Sequence, residues 1–241
     1  MTQVICMWSG PRNLSTAFMR SFENRADTAV LDEPFFAPYL AATGKDHPGR
    51  EETLAAHETD ARLVAQNCLK TPAGHSDYYF QKHMPHQMID GFDRTWMDGA
   101  KHFFLIRHPA AVINSYAKGR AAFEASDIGL LQQAEFYNLI SQRQDTVPVI
   151  DSAIFLGNPE THLRALCNAL DIPFTPQMLS WPAGPRETDG AWAPYWYGSV
   201  ERSTGFGPPR NALDTVKPQY QHILDEVLPA YQTLFAKRLL S

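Results

Sequence analysis

Arg12, Ser15 and Thr16 stand in a run of residue types that builds an anion site. Val4-Ile5-Cys6-Met7-Trp8 is a short apolar run rich in β-formers, and Gly10-Pro11 breaks it. Ser15-Thr16 then open a helical pattern in which Leu14, Phe18 and Phe22 recur every fourth residue. In such a strand, tight loop and helix N-terminus, the backbone N–H groups of Asn13, Leu14, Ser15 and Thr16 converge. The helix end carries partial positive charge and Arg12 adds a full one. The chemistry that suits this loop is the handling of a phosphate or a sulfate. Taken alone, the same residues also suit an ordinary N-cap serine and a surface arginine.

The loop is close to the nucleoside-triphosphate motif G-x-x-x-x-G-K-[ST], whose Lys reaches the terminal phosphates and whose hydroxyl holds magnesium. Here Ser15 stands where the Lys belongs, and the cation has moved upstream to Arg12. That arrangement suits a donor that gives up a single sulfuryl group and needs no metal. A second strand-to-helix turn follows at Phe103-Phe104-Leu105-Ile106-Arg107-His108-Pro109, with Ser115-Tyr116 two helical turns on. An Arg fork at a strand end and a hydroxyl can bracket another phosphate. In isolation, a structural salt-bridge arginine explains Arg107 as well.

With both turns in view, the chain resembles the sulfotransferase family, whose donor is 3′-phosphoadenosine-5′-phosphosulfate. The family's first loop, Pro-[Lys/Arg]-Ser-Gly-[Ser/Thr]-Thr, is matched by Pro11-Arg12-Asn13-Leu14-Ser15-Thr16. Its second turn, Arg-[Asp/Asn]-Pro followed by Ser-Tyr, is matched by Arg107-His108-Pro109 and Ser115-Tyr116. Gln81-Lys82-His83-Met84-Pro85 is similar to the Lys-Thr-His-Leu-Pro strand of cytosolic members, and the likeness runs from residue 3 to about residue 175. The sequence departs from the pattern where Leu14 replaces the loop glycine and Gln81 the strand lysine. The C-terminal Arg-Lys-Gly-x-x-Gly donor motif is also missing, and Arg202-Ser203-Thr204-Gly205 is a faint substitute.

The resemblance implies donor binding by Gly10, Pro11, Arg12, Asn13, Leu14, Ser15, Thr16, Arg107, Ser115 and Arg202. It implies no metal. Transfer is then an in-line displacement catalysed by positioning and charge stabilisation. Arg12 is expected on the bridging oxygen and sulfuryl group. Two residues compete as the base: His83, which aligns with the histidine of the cytosolic branch, and Glu33, which resembles the base of bacterial and carbohydrate-directed members. Glu33 is favoured, because an acidic base after the second strand accompanies an Arg-type loop. His83 and His86 read poorly as metal ligands, since Pro85 separates them and no partner has suitable spacing. Asp127 and Glu135 read as exposed helix carboxylates.

These residues need elements to carry them. Strands are expected at residues 28–31, 78–83, 102–106 and 147–151 after the first, and helices end near Leu69, start at Pro109, run from about Ile128 to Gln142, and follow the cap Asn158-Pro159. The alternation predicts an α/β fold: three layers, a central mostly parallel sheet, and a P-loop-like sulfotransferase architecture over residues 1–241 as one domain. The anion loop, Glu33, His83 and Arg107 all fall just past a strand, where such sheets bind ligands. Residues 181–210, rich in Pro and carrying Trp192, Tyr195, Trp196 and Tyr197, read as an irregular loop, either a lid or acceptor wall or a packed surface loop. A last helix is expected over residues 213–240, broken at Pro218 or Pro229.

The composition, 44% hydrophobic and 20% charged over 241 residues, fits a folded globular chain. A net charge of −5 argues against nucleic acid as a partner. No apolar run reaches a membrane span, Met1-Thr2-Gln3 leads straight into a strand, and Cys6, Cys68 and Cys167 are scattered. Together these predict a cytoplasmic protein with free thiols, no membrane contact, and a small-molecule or carbohydrate acceptor. Oligomeric state has no signature in the sequence. The rival readings are a P-loop kinase or nucleotide hydrolase, with Asp32 as its magnesium ligand, and a non-catalytic binding module on the same fold.

Overall fold

The computed structural model describes residues 2–70, 76–120, 122–209 and 215–240. In chain order the elements are β1 (Gln3–Ser9), α1 (Ser15–Glu23), β2 (Thr28–Asp32), α2 (Phe36–Thr43), α3 (Arg50–Ala56), α4 (Ala61–Cys68), β3 (Tyr78–His83), β4 (Lys101–Ile106), α5 (Pro109–Tyr116), α6 (Ala125–Ile128), α7 (Leu130–Ser141), β5 (Val149–Asp151), α8 (Ser152–Phe155), α9 (Pro159–Ala169), α10 (Ala193–Trp196), α11 (Gly198–Glu201) and α12 (Gln221–Ala236).

The five strands form one sheet in the order β2-β3-β1-β4-β5, with every pairing parallel. β1 and β4 are neighbours, yet the chain leaves them toward opposite edges, so their carboxyl ends bound the crevice where such sheets take ligands. Alternation along each strand divides the core in two. Val4, Cys6, Trp8, Tyr79, Phe104 and Ile106 face α4, α5, α7 and α12. Ile5, Met7, Phe80, Phe103 and Leu105 face α1, α8 and α9. The expected α/β fold of three layers is therefore present.

Several boundaries differ from the sequence reading for local reasons. The helix expected to end near Leu69 is two helices, because Asp60 caps α4 by accepting a bond from the Arg62 backbone N–H. The periodic run from Ile128 splits at Gly129, whose φ of 75° ends α6 and starts α7. β5 is shorter than expected, since Pro148 has no N–H to give the ladder and contributes only its carbonyl, to the Phe104 N–H at 2.8 Å. Residues 181–209 are not irregular throughout and hold α10 and α11. Arg210 and the expected helix start at Leu213 lie outside the described residues; α12 begins at Gln221 after a single 3-10 turn at Pro218 and carries Pro229 inside it. The three cysteines are buried free thiols. Among the described residues, no helix is long and apolar enough to cross a membrane.

Two buried histidines join the core through Trp8. The Trp8 Nε1–H donates to His102 Nδ1 at 3.0 Å, and His102 Nε2 meets the Met97 carbonyl at 2.8 Å. That pair of partners requires the neutral imidazole with its hydrogen on Nε2; a second proton would set an N–H against the indole N–H. Burial holds His102 down to about 4, and burial with His102 nearby holds His83 down to about 3. Unfolded imidazoles take up protons near pH 6.5 while these do not, so the unfolded state gains more protons as the pH falls. Stability therefore drops between pH 7 and pH 5, by up to about 2 kcal/mol per histidine. Urea midpoints across that range will record the drop, and His102→Gln, which keeps both bonds, will make it shallower.

Candidate functional site

The loop after β1 is built by alternating backbone hand. Arg12 and Leu14 hold φ of 60° and 61°, between which Asn13 turns its side chain inward to donate to the Leu105 carbonyl. Alternating left- and right-handed residues make a concave nest of N–H groups. The nest opens into the first turn of α1, whose N–H groups have no partner one turn back. Gln133 from α7 donates to the carbonyls of Trp8 and Leu105, both at 3.0 Å, clamping the ends of β1 and β4 under the loop. Gly10 serves this packing and does not line the cavity: a Cβ there would stand 2.5 Å from the Ile128 carbonyl oxygen.

The turn after β4 is held by caps. Pro109 fills the first position of α5, and His108 accepts from the Ala110 N–H at 3.3 Å. The two turns are tied to each other. Arg107 donates to the Arg12 carbonyl at 2.7 Å, and the Arg12 Nε donates to Ser115 Oγ at 3.2 Å. Pro11, Arg12, Asn13, Leu14, Ser15, Thr16, Arg107 and Ser115 thus line one cavity of about 550 Å³. Both guanidinium groups lie on the same side of the sheet rim.

The same cavity is lined by Glu33, directly beyond β2. Its φ of 37° is strained for a residue with a Cβ. Lys82 Nζ lies 2.8 Å from Glu33 Oε1, and Gln87 Nε2 donates to Oε2 at 2.6 Å. Burial raises the Glu33 pKa and the Asp32 carboxylate adds to the rise, against the pull of the Lys82 ammonium. Lys82 is itself buried, paired with Asp32 at 2.9 Å, bonded to the Tyr197 hydroxyl, and 3.3 Å from Thr16 Oγ1. Those charges hold its pKa up despite burial. Lys82 and Gln87 carry no role in the sequence reading, and Tyr197 enters it only as a member of the aromatic cluster. The signal for Lys82 was a charged residue inside an otherwise apolar strand.

His83 does not reach the cavity, contrary to the expectation that it competes as the base. Along β3, Lys82 and then Met84 face the cavity, and His83 points to the opposite face. There it stacks on Trp8 at 4.7 Å and bonds to Gln81 at 3.1 Å, fully buried and neutral. Arg202 also stands apart. It is exposed at the end of α11 and does not line the cavity, although Ser203 and Gly205 beside it do. Asp127 has work of its own, since it forms a capping box with Glu124 and an ion pair with Lys45.

The aromatic segment forms the cavity's outer wall. Trp192, Trp196 and Tyr197 line it beside Phe36 and His47, Trp192 packing edge-on against Phe36 at 5.0 Å and Trp196 tilted against His47 at 5.4 Å. The segment is fixed to the last turn of α1 and the end of β2: Asp189 accepts Arg20 through both oxygens at 2.6 Å, and Asp32 accepts the Gly190 N–H at 3.2 Å. Of the two readings of this segment, a packed cover and a pocket wall, it is both.

A family model described as a sulfotransferase domain matches residues 3–238. Two relatives from Arabidopsis thaliana, branched-chain-amino-acid aminotransferase-like proteins 1 and 2, are 39% and 38% identical over 96% of this chain. The chain spans 41% of the length of each, so their names describe much longer proteins. Among solved structures, a sulfotransferase from Alicyclobacillus acidocaldarius aligns over 100% of this chain and 98% of its own, with a TM-score of 0.55 at 13% identity. The sulfotransferase domain of the Synechococcus PCC 7002 olefin synthase aligns over 95% and 96%, with a TM-score of 0.55 at 12% identity. At such identities the likeness is one of fold. The family match covers nearly the whole chain, and the chain belongs to the sulfotransferase domain family.

Proposed function

We propose that this domain moves a sulfuryl group from 3′-phosphoadenosine-5′-phosphosulfate to a hydroxyl or amine on a small molecule or carbohydrate. One observation carries the reading: a single cavity is lined by Arg12, Arg107 and the buried Glu33, with Lys82 bridging Glu33 and Thr16 of the anion loop's helix. Its volume lies within the range of small-molecule sites. Arg107 and Ser115 take the 3′-phosphate, and the backbone of residues 13–16 takes the 5′-phosphate. Arg12, now resting on Ser115, is long and exposed enough to turn to the bridging oxygen.

Glu33 takes the acceptor's proton. The acceptor heteroatom bonds to sulfur as the bond from sulfur to the bridging oxygen breaks, and that electron pair leaves with the 5′-phosphate, where Arg12 balances the new charge. Lys82 keeps Glu33 in place and offsets part of its negative charge. The aromatic wall suits a flat or apolar acceptor, and sugars also stack on such rings.

Adenosine 3′,5′-bisphosphate is expected to bind without magnesium, and ATP not to bind, in calorimetric titration. Arg12→Ala and Arg107→Ala will each weaken that binding by about tenfold or more. No binding in the native protein would leave the family fold without a donor site. Glu33→Gln will lower turnover by ~10²- to 10⁴-fold while leaving bisphosphate affinity unchanged. Because the Glu33 pKa is raised, the acidic limb of the rate profile will lie above the ordinary glutamate value, with activity rising as Glu33 loses its proton. Lys82→Met leaves two buried carboxylates without their cation and will cost about 3–5 kcal/mol at neutral pH. Carboxylates raised in pKa bind protons in the folded state, so that deficit will shrink as the pH falls, which unfolding at pH 5 and pH 8 will measure.

A further inference from the structure

Tyr197 carries a hydroxyl from the outer wall into the buried cluster that holds Glu33. It follows α10 directly and is 4% exposed. Its one hydrogen goes to Asp32 Oδ2 at 2.6 Å, and its oxygen accepts from Trp192 Nε1 at 3.1 Å and from Lys82. That is the full bonding capacity of a phenol. Burial and the Asp32 carboxylate push its pKa up, so it stays a donor.

The ammonium of Lys82 has three hydrogens and four oxygen neighbours: Asp32, Glu33, Tyr197 and, farthest at 3.3 Å, Thr16. One neighbour is in excess. With the Tyr197 oxygen present, the three near bonds hold Lys82 between the two carboxylates. Without it, Thr16 becomes the third acceptor, and the ammonium turns toward the donor loop and away from its line to Glu33.

We infer that Tyr197 is a positioning residue for sulfuryl transfer, its hydroxyl fixing the Lys82 ammonium so that the Glu33 carboxylate stays aimed into the cavity. The inference rests on Glu33 being the base. It makes the aromatic segment part of the catalytic geometry as well as a wall for the acceptor. The groups that face Glu33 and Lys82 in this arrangement are Asp32 from β2, Gln87 from the turn after β3, Thr16 from α1 and Tyr197.

The test uses the release of radiolabelled sulfate from 3′-phosphoadenosine-5′-phosphosulfate into water, which needs no identified acceptor, and calorimetric binding of adenosine 3′,5′-bisphosphate. Tyr197→Phe is expected to lower turnover by about tenfold or more with bisphosphate affinity unchanged, and to cause no further loss in a Glu33→Gln background. Full turnover in a folded Tyr197→Phe overturns the inference. So does an equal loss in the Glu33→Gln background, which marks a purely structural role. Should Tyr197→Phe not fold, Asp32→Asn keeps the shape but removes the charge that orients the hydroxyl; it is expected to give the same split, and full turnover there also overturns the inference. Full turnover in Glu33→Gln defeats the base itself. Loss in Glu33→Gln with none in Tyr197→Phe defeats only the role of Tyr197.

Discussion

The buried ammonium of Lys82 is the constraint on which the rest of the site depends. A lone charge at that depth would lose its proton or unfold the strand that carries it. Lys82 keeps it because Asp32 and Glu33 stand at 2.9 and 2.8 Å on one side and Tyr197 closes the other. The two carboxylates depend on it equally, since neighbouring residues of like charge could not otherwise share a buried corner. One cation therefore fixes the end of β2, the end of β3 and the segment carrying Tyr197. These three pieces of chain are far apart in sequence, and no apolar packing alone would set them to hydrogen-bond precision.

Backbone strain is concentrated at the same rim. Among the described residues, the non-glycine positions with positive φ are Arg12, Leu14, Glu33 and Asp171. The first three line the cavity. Each costs about 1–3 kcal/mol and persists only where surroundings fix it. For the loop those surroundings are the Asn13 bond to Leu105, the Gln133 clamp and the Arg107 bond to the Arg12 carbonyl. Leu14 in place of the family's glycine thus changes the cost of the loop but not its hand. A leucine side chain there packs against the face of the core that holds Phe18 and Ile5, which offsets part of the strain.

The sheet and both cationic turns were legible in the sequence because they depend on local order: an apolar run, a breaking residue, a capped helix. Glu33 was legible for the same reason, as an acid directly after a strand. The polar cluster was not. Lys82 and His83 are adjacent in β3, and in a strand adjacent residues face opposite sides. Alignment with a family motif put the histidine in the cavity, and the pleat put the lysine there. Nothing in the run Gln81-Lys82-His83-Met84 settles its parity; that is set by which residues of β1 lie beside it, with Trp8 opposite His83 and Met7 opposite Lys82. Tyr197 was harder still, because its partners lie 115 and 165 residues away in the chain.

The aromatic segment links the helix of the anion loop to the Lys82 cluster. α1 begins in the anion loop and carries Arg20 in its last turn, buried and bound through both oxygens of Asp189. One residue later Gly190 bonds to Asp32, and seven residues beyond that Tyr197 bonds to Asp32 and Lys82. The helix that begins at the anion loop thus anchors the segment that closes on Lys82 and Asp32. Rigid elements with buried ionic ends transmit position better than loops held by dispersion alone. The 181–209 segment has little regular structure of its own, and buried polar contacts tie it to α1, β2 and β3. Its conformation then belongs to the site and not to the surface, and a substitution at Arg20 or Asp189, remote from either substrate, would reach the reaction through Asp32.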